Sequence, residues 1–224
     1  MTASQEMQVL LDEIRAEIRA TRHYTGRGAL SERVLRAFAE VPRHAFLPPV
    51  LRPAAYANRP LPIGHEQTIS QPYIVALMTD LLDPEPDDVV LEIGAGSGYQ
   101  TALLAKLVKQ VYSLEIVPPL ACLARERLEG LGCGNVEVAR GDGYFGWPEH
   151  APYDGILVSA AAPEIPPALL EQLKPEGRLL MPVGGRYRGQ ELELIEKDRQ
   201  GRVSRKSVLP VIFVPLTGAG RRPP

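Results

Sequence analysis

Apolar positions along the chain follow two periods, and the switch between them predicts the architecture. Over residues 4–22, Met7, Leu10, Leu11, Ile14 and Ile18 recur at the spacing of one helical face among Asp, Glu and Arg, which predicts an amphipathic helix. A second helix is expected after Ser31, a favoured N-cap, with Val34, Leu35 and Phe38 on its apolar side and Pro42 as its stop. From 41 to 67 the prolines at 42, 48, 49, 53, 60 and 62 forbid long regular structure, yet Phe46, Leu47, Leu51, Tyr56 and Leu61 are apolar enough to bury. That combination predicts an ordered loop segment that covers a site. Ile74, Leu77, Met78, Leu81 and Leu82 then return to the helical period, with Ser70 read as the N-cap and Pro72 in the first turn.

Downstream, short apolar runs alternate with helical stretches. Strands are expected at 89–93, 111–114, 136–139, 153–159 and 178–182, and helices over 99–109, up to about Leu131, and over 166–173. Lys174-Pro175-Glu176-Gly177 reads as a turn, and strands at 191–196 and 203–215 join around Gln200-Gly201. Repeated strand–helix units followed by a strand pair predict an α/β, doubly wound and mostly parallel sheet with an antiparallel finish. The last seven residues are expected to be disordered. The simplest count is one domain over 1–224, with a helical and loop part at 1–67, a core at 68–217 and a tail at 218–224.

The strand at 89–93 runs into Gly94-Ala95-Gly96-Ser97-Gly98, and this junction carries the candidate chemistry. Glycines at every second position let backbone approach a ligand that a side chain would exclude. The spacing lacks the G-x-G-x-x-G of a dinucleotide site and the Gly-Lys-Ser/Thr of a P-loop. A dehydrogenase is therefore disfavoured. Glu115 ends the next strand, where ribose hydroxyls of a bound nucleoside would lie, and Asp142 tips the third strand between Gly141 and Gly143. Ligands of such sheets bind outside the carboxyl ends of the strands, which is where all three segments fall.

Bulk properties narrow the partners. The net charge of -2, with signs interspersed, offers no footprint for nucleic acid, and no apolar run has the length to span a bilayer. The Glu-, Gln- and Arg-rich start lacks the apolar region of a secretory signal, and two cysteines are too few for a disulfide framework. A cytoplasmic protein is expected, a monomer without nucleic-acid or membrane partners. No two of His23, His44, His65 and His150 share helical i, i+4 spacing, so no metal site is expected.

From about residue 30 to 217 the chain resembles the protein-L-isoaspartate O-methyltransferases, among the class I methyltransferases. The resemblance is carried by Val41-Pro42-Arg43 with Phe46, Leu61-Pro62-Ile63-Gly64, Thr68-Ile69-Ser70-Gln71-Pro72, Val90-Leu91-Glu92-Ile93-Gly94 with Gly96-Ser97-Gly98-Tyr99, Gly141-Asp142-Gly143, and Phe213-Val214-Pro215-Leu216-Thr217. The Thr-Ile-Ser-Gln-Pro stretch discriminates, because very many methyltransferases share the glycine turn. The resemblance implies a seven-stranded, Rossmann-like sheet with an antiparallel C-terminal strand and an N-terminal helical extension. It implies S-adenosyl-L-methionine as methyl donor, S-adenosyl-L-homocysteine as product, and isoaspartyl-containing proteins and peptides as partners. The acceptor would be the free α-carboxylate of L-isoaspartyl, methylated to begin repair through a succinimide. By the same resemblance Ser70 takes the active-site serine position, and Thr68, Ile69, Gln71, Glu92, Gly94, Gly96, Glu115, Asp142, Gly143 and Thr217 take cofactor positions. The segment 214–217 would return beside the substrate. Val211-Ile212 stands where relatives often carry a basic residue, which leaves open what pairs with the substrate carboxylate. Methyl transfer to another acceptor, or nucleoside binding without catalysis, are the alternatives.

Overall fold

The computed structural model describes residues 2–185 and 189–218. Helix α1 (Ala3–Thr25) opens on a capping box in which the Thr2 hydroxyl accepts the Gln5 N–H and the Gln5 side chain accepts the Thr2 N–H. It ends at Gly26, whose φ of 73° suits a residue without a side chain. Helix α2 (Glu32–Glu40) is capped by Ser31, as the pattern predicts. Two short 3-10 helices (Arg43–Phe46 and Pro49–Ala54) and a hairpin, β1 (Leu61–Gly64) with β2 (Gln67–Ile69), fill the proline-rich stretch. The hairpin corrects the expectation of a loop there. Phe46, Leu47 and Leu61 are buried in the main core, so much of this segment is core and not cover.

Helix α3 (Pro72–Leu82) leads into the main sheet: β3 (Val89–Ile93), α4 (Tyr99–Ala105), β4 (Gln110–Glu115), α5 (Pro118–Gly130), β5 (Val136–Arg140), β6 (Tyr153–Val158), α6 (Pro167–Gln172), β7 (Leu173–Gly185), β8 (Gly189–Lys197) and β9 (Val203–Val211). The seven strands stand in the order β5-β4-β3-β6-β7-β8-β9. Pairing is parallel from β5 to β7, and antiparallel for β7 with β8 and β8 with β9. Helix α4 stops four residues short of its expected end at Lys109. The expected turn at 174–177 is a bulge inside β7, where the register against β6 jumps from Tyr153↔Leu173 to Gly155↔Arg178. Gly218 lies against the Asp142 carboxylate, one residue into the expected tail, and the rest of that tail lies outside the described residues.

Strand alternation splits the core in two. Val90, Val111, Leu157 and Leu180 face one layer with α1–α4, while Leu91, Ile93, Ile156, Val158 and Leu179 face the other with α6. Leu10, Ile14 and Ile18 of α1 are fully buried in the first layer, which fixes the N-terminal helix to the sheet domain. No helix among the described residues is long and apolar enough to cross a membrane. Truncating Ile14 removes a side chain with no exposed surface, so Ile14→Ala is expected to lower the unfolding free energy by about 2–5 kcal/mol. Urea unfolding checks this, and a loss below about 1 kcal/mol would mean that α1 packs loosely.

Candidate active site

The sheet changes winding direction between β3 and β6, adjacent parallel strands whose next strands lie on opposite sides. Chain crossings diverge there, which leaves a crevice at the carboxyl ends. Gly94 follows β3 and Ser159 follows β6, with the Ser159 N–H donating to the Ile93 carbonyl at 2.9 Å. A cleft with about 890 Å³ of empty space, part of it open to solvent, lies at this point.

Its floor is the glycine turn. Gly94, Gly96 and Gly98 have φ of 91°, 54° and 89°, left-handed values that a side chain would strain. The N–H groups of the turn are used inside the protein: Gly94 and Ala95 donate to the Leu114 carbonyl at 2.8 and 3.3 Å, Gly98 to the Ala95 carbonyl at 2.8 Å, and Gly96 to Glu115 Oε2 at 2.8 Å. A turn with these donors spent holds no pyrophosphate cradle, which argues against a dinucleotide and fits a nucleoside without phosphate. Glu115 also accepts the Val117 N–H through Oε1 at 2.9 Å, and it stays at the cleft wall with 5% of its surface exposed. Gly143 lines the opposite wall, and a β-carbon there would come within 2.1 Å of Ile93 Cγ2, so only glycine fits.

Of the residues nominated from sequence, Thr68, Ile69, Ser70, Gly94, Gly96, Glu115, Gly143 and Thr217 line this cleft. The segment 214–217 is held there by the Ala161 N–H donating to the Val214 carbonyl and the Leu216 N–H to the Ala161 carbonyl, both at 2.8 Å. Three nominees lie elsewhere. Gln71 lines a second, adjoining groove. Asp142 caps the 3-10 turn Gly143–Phe145, accepting the Tyr144 N–H at 3.0 Å, behind the wall its glycine neighbours form. Glu92 has no exposed surface and sits beneath the turn, where Oε2 accepts the Thr101 and Ser113 hydroxyls at 2.5 Å each. Ser70 is not the N-cap of α3: Gln71 is, without a side-chain cap bond. Ser159, missed in the sequence, lines the cleft, and its place at the end of a parallel strand was the available signal.

Ser70 borders both the cleft and the second groove. Its carbonyl accepts Arg43 Nη2 at 2.9 Å, while Arg43 Nε donates to the Ala55 carbonyl at 2.9 Å. Arg43 is fully buried and lies over the Tyr99 ring at 5.0 Å, and burial pushes its pKa down to about 10. This guanidinium ties the proline-rich segment to the Ser70 turn.

A sequence profile described as protein-L-isoaspartate(D-aspartate) O-methyltransferase matches residues 19–221. The chain is 58% identical over 209 residues to protein-L-isoaspartate O-methyltransferase 2 of a Polaromonas species, covering 93% of this chain and 99% of that one. It is 57% identical to the protein of the same name from Syntrophobacter fumaroxidans, covering 93% and 85%. Among solved structures, a protein-L-isoaspartate O-methyltransferase superposes with a TM-score of 0.80 at 28% identity, covering 97% of this chain and 66% of that one. A β-aspartate methyltransferase from Plasmodium falciparum, in complex with S-adenosyl-L-homocysteine, shares the fold with a TM-score of 0.74 at 24% identity, covering 92% and 97%. Fold and site together define a nucleoside-binding domain of the class I methyltransferase type. Within that class, the chain belongs to the protein-L-isoaspartate O-methyltransferase family.

Burial pushes the Glu92 carboxyl up to about 7, and the nearby Glu115 charge adds to the rise against the two hydroxyl bonds. With the native pKa above the unfolded value, the folded state binds the extra proton, so this contribution is complete below about 4.5 and lost as pH rises through about 7. Between pH 5 and 8, wild-type is expected to lose on the order of 3 kcal/mol relative to Glu92→Gln, read by urea unfolding at each pH. Parallel pH profiles for the two proteins would contradict it.

Proposed function

We propose that the protein transfers a methyl group from S-adenosyl-L-methionine to the free α-carboxylate of L-isoaspartyl residues in damaged proteins and peptides, the activity EC 2.1.1.77. The observation that carries this reading is the position of Ser70, at the join of the nucleoside cleft and the second groove. S-adenosyl-L-methionine supplies an electrophilic methyl on a positively charged sulfur. The chain has to hold this donor, present the acceptor in line with it, and keep water out.

Glu115 accepts ribose hydroxyls on lone pairs left beside its two backbone bonds, and the cleft that Gly94, Gly96 and Gly143 line admits the nucleoside. Thr68 lines the cleft where it meets the groove, and Ile69 and Thr217 complete the cleft lining. Glu92 and Asp142 act at one remove, Glu92 by holding α4 and β4 under the turn and Asp142 by fixing the 3-10 turn at the wall. The acceptor carboxylate, with a reference pKa of about 4, is ionised at neutral pH and attacks without a general base. Alignment is what remains, and holding two reactants in attacking geometry contributes about 7–11 kcal/mol in favourable systems. The Ser70 hydroxyl makes no hydrogen bond to another described residue and is free to donate to the carboxylate. Ile212, exposed over 97% of its surface, brings no charge to that pairing. The two free cysteines, Cys122 and Cys133, support a reducing and therefore cytoplasmic setting.

Ser70→Ala removes one hydrogen bond to a charged group, which is worth about 1.5–3 kcal/mol. Turnover at saturation is expected to fall roughly 10- to 100-fold while affinity for S-adenosyl-L-methionine, measured by calorimetry, stays within about threefold. Lost cofactor affinity with unchanged turnover would reject this role for Ser70.

A further inference from the structure

The second groove continues the cleft past Ser70, with about 1070 Å³ of empty space that is partly open to solvent. Its walls are the end of β9 with residues 212–214 on one side and the start of α3 on the other. Nearly all of the lining is apolar or neutral. Among the described residues that form it, Glu17 on α1 is the one with a charged side chain.

Neutral amides hold that carboxylate in place. Asn58 Nδ2 donates to Oε2 at 2.8 Å, and Gln71 Nε2 lies 3.4 Å from Oε2 and 3.5 Å from Oε1. Asn58 is itself anchored, its Oδ1 accepting the Tyr73 N–H at 3.0 Å. Among the described residues, no Lys, Arg or His lies within ion-pair distance of Glu17. Among the described residues, the result is a positioned negative charge with no ion-pair partner in a mostly apolar groove, where a field acts over longer range than at an open surface. Gln71, which contacts it, is the residue next to Ser70.

We infer that Glu17 is a specificity-determining residue for the acceptor, favouring isoaspartyl peptides with a cationic side chain beside the damaged residue and disfavouring those with an acidic one. The inference rests on the acceptor reading above. With the isoaspartyl carboxylate at Ser70, an extended peptide advances about 3.3–3.6 Å per residue. A Lys or Arg one or two residues away therefore brings its charge into the part of the groove that Glu17 occupies.

The test is labelled methyl transfer to isoaspartyl hexapeptides that carry Lys or Glu at each of the two positions on either side of the isoaspartyl residue. Wild-type is expected to prefer the Lys peptide in kcat/KM by roughly fivefold at one position or more, mostly through KM, with the preference shrinking in 1 M salt. Glu17→Gln keeps an oxygen acceptor for the amides and is expected to bring the ratio near one, and Glu17→Lys to invert it. Because the readout is a ratio on one enzyme, general damage to the fold cancels. A wild-type ratio near one at every position, or a ratio unchanged in Glu17→Gln, overturns the inference and leaves isoaspartyl methylation standing. Failure of wild-type to label any isoaspartyl peptide overturns the acceptor reading and the inference with it.

Discussion

The Glu115 carboxylate, shared between the N–H groups of Gly96 and Val117, is the interaction on which the site depends. It ties the turn after β3 to the end of β4, and with the Leu114 carbonyl it consumes donors that a glycine turn would otherwise offer to a phosphate. The same acid that, in the proposed function, presents an acceptor to a nucleoside also removes the reason for a phosphate to bind. One contact sets both the shape of the cleft and the class of ligand.

Support for that contact comes from below. Glu92 faces the helical layer, because alternation along β3 sends Val90 and Glu92 to one side and Leu91 and Ile93 to the other. There it gathers Thr101 from α4 and Ser113 from its register partner on β4, joining the three elements that carry the turn. Above, Arg43 fixes the Ser70 carbonyl from the proline-rich segment. Cofactor side and acceptor side are thus held by separate buried groups, which lets Ser70 sit between them without a capping role.

The main sheet was legible in the sequence because strands buried on both faces read as mostly apolar runs, as at 89–93, broken only by Glu92, and at 155–158. Glu115 and the glycine turn were legible from their position at strand ends. The β1–β2 hairpin was not: β1 contains Pro62, β2 has three residues, and the turn passes through His65 and Glu66 at φ of 53° and 59°, where Asn-Gly is the usual signal. Ser70 misled as a cap because cap preference is local, whereas its carbonyl is held by Arg43, 27 residues earlier. Glu92 shared the motif with its glycines, and only the cross-strand pairing of Glu92 with Ser113 reveals its part as a buried brace. Glu17 gave no signal at all, since a Glu on an amphipathic helix reads as solvated until the groove beside it is seen.

The most direct measurement of the account is transfer of labelled methyl from S-adenosyl-L-methionine to two peptides identical except for L-isoaspartyl or L-aspartyl at one position. Base-labile label on the isoaspartyl peptide alone is the predicted result. Label on neither peptide, with the cofactor still bound, would contradict the acceptor assignment while leaving the nucleoside-binding fold in place.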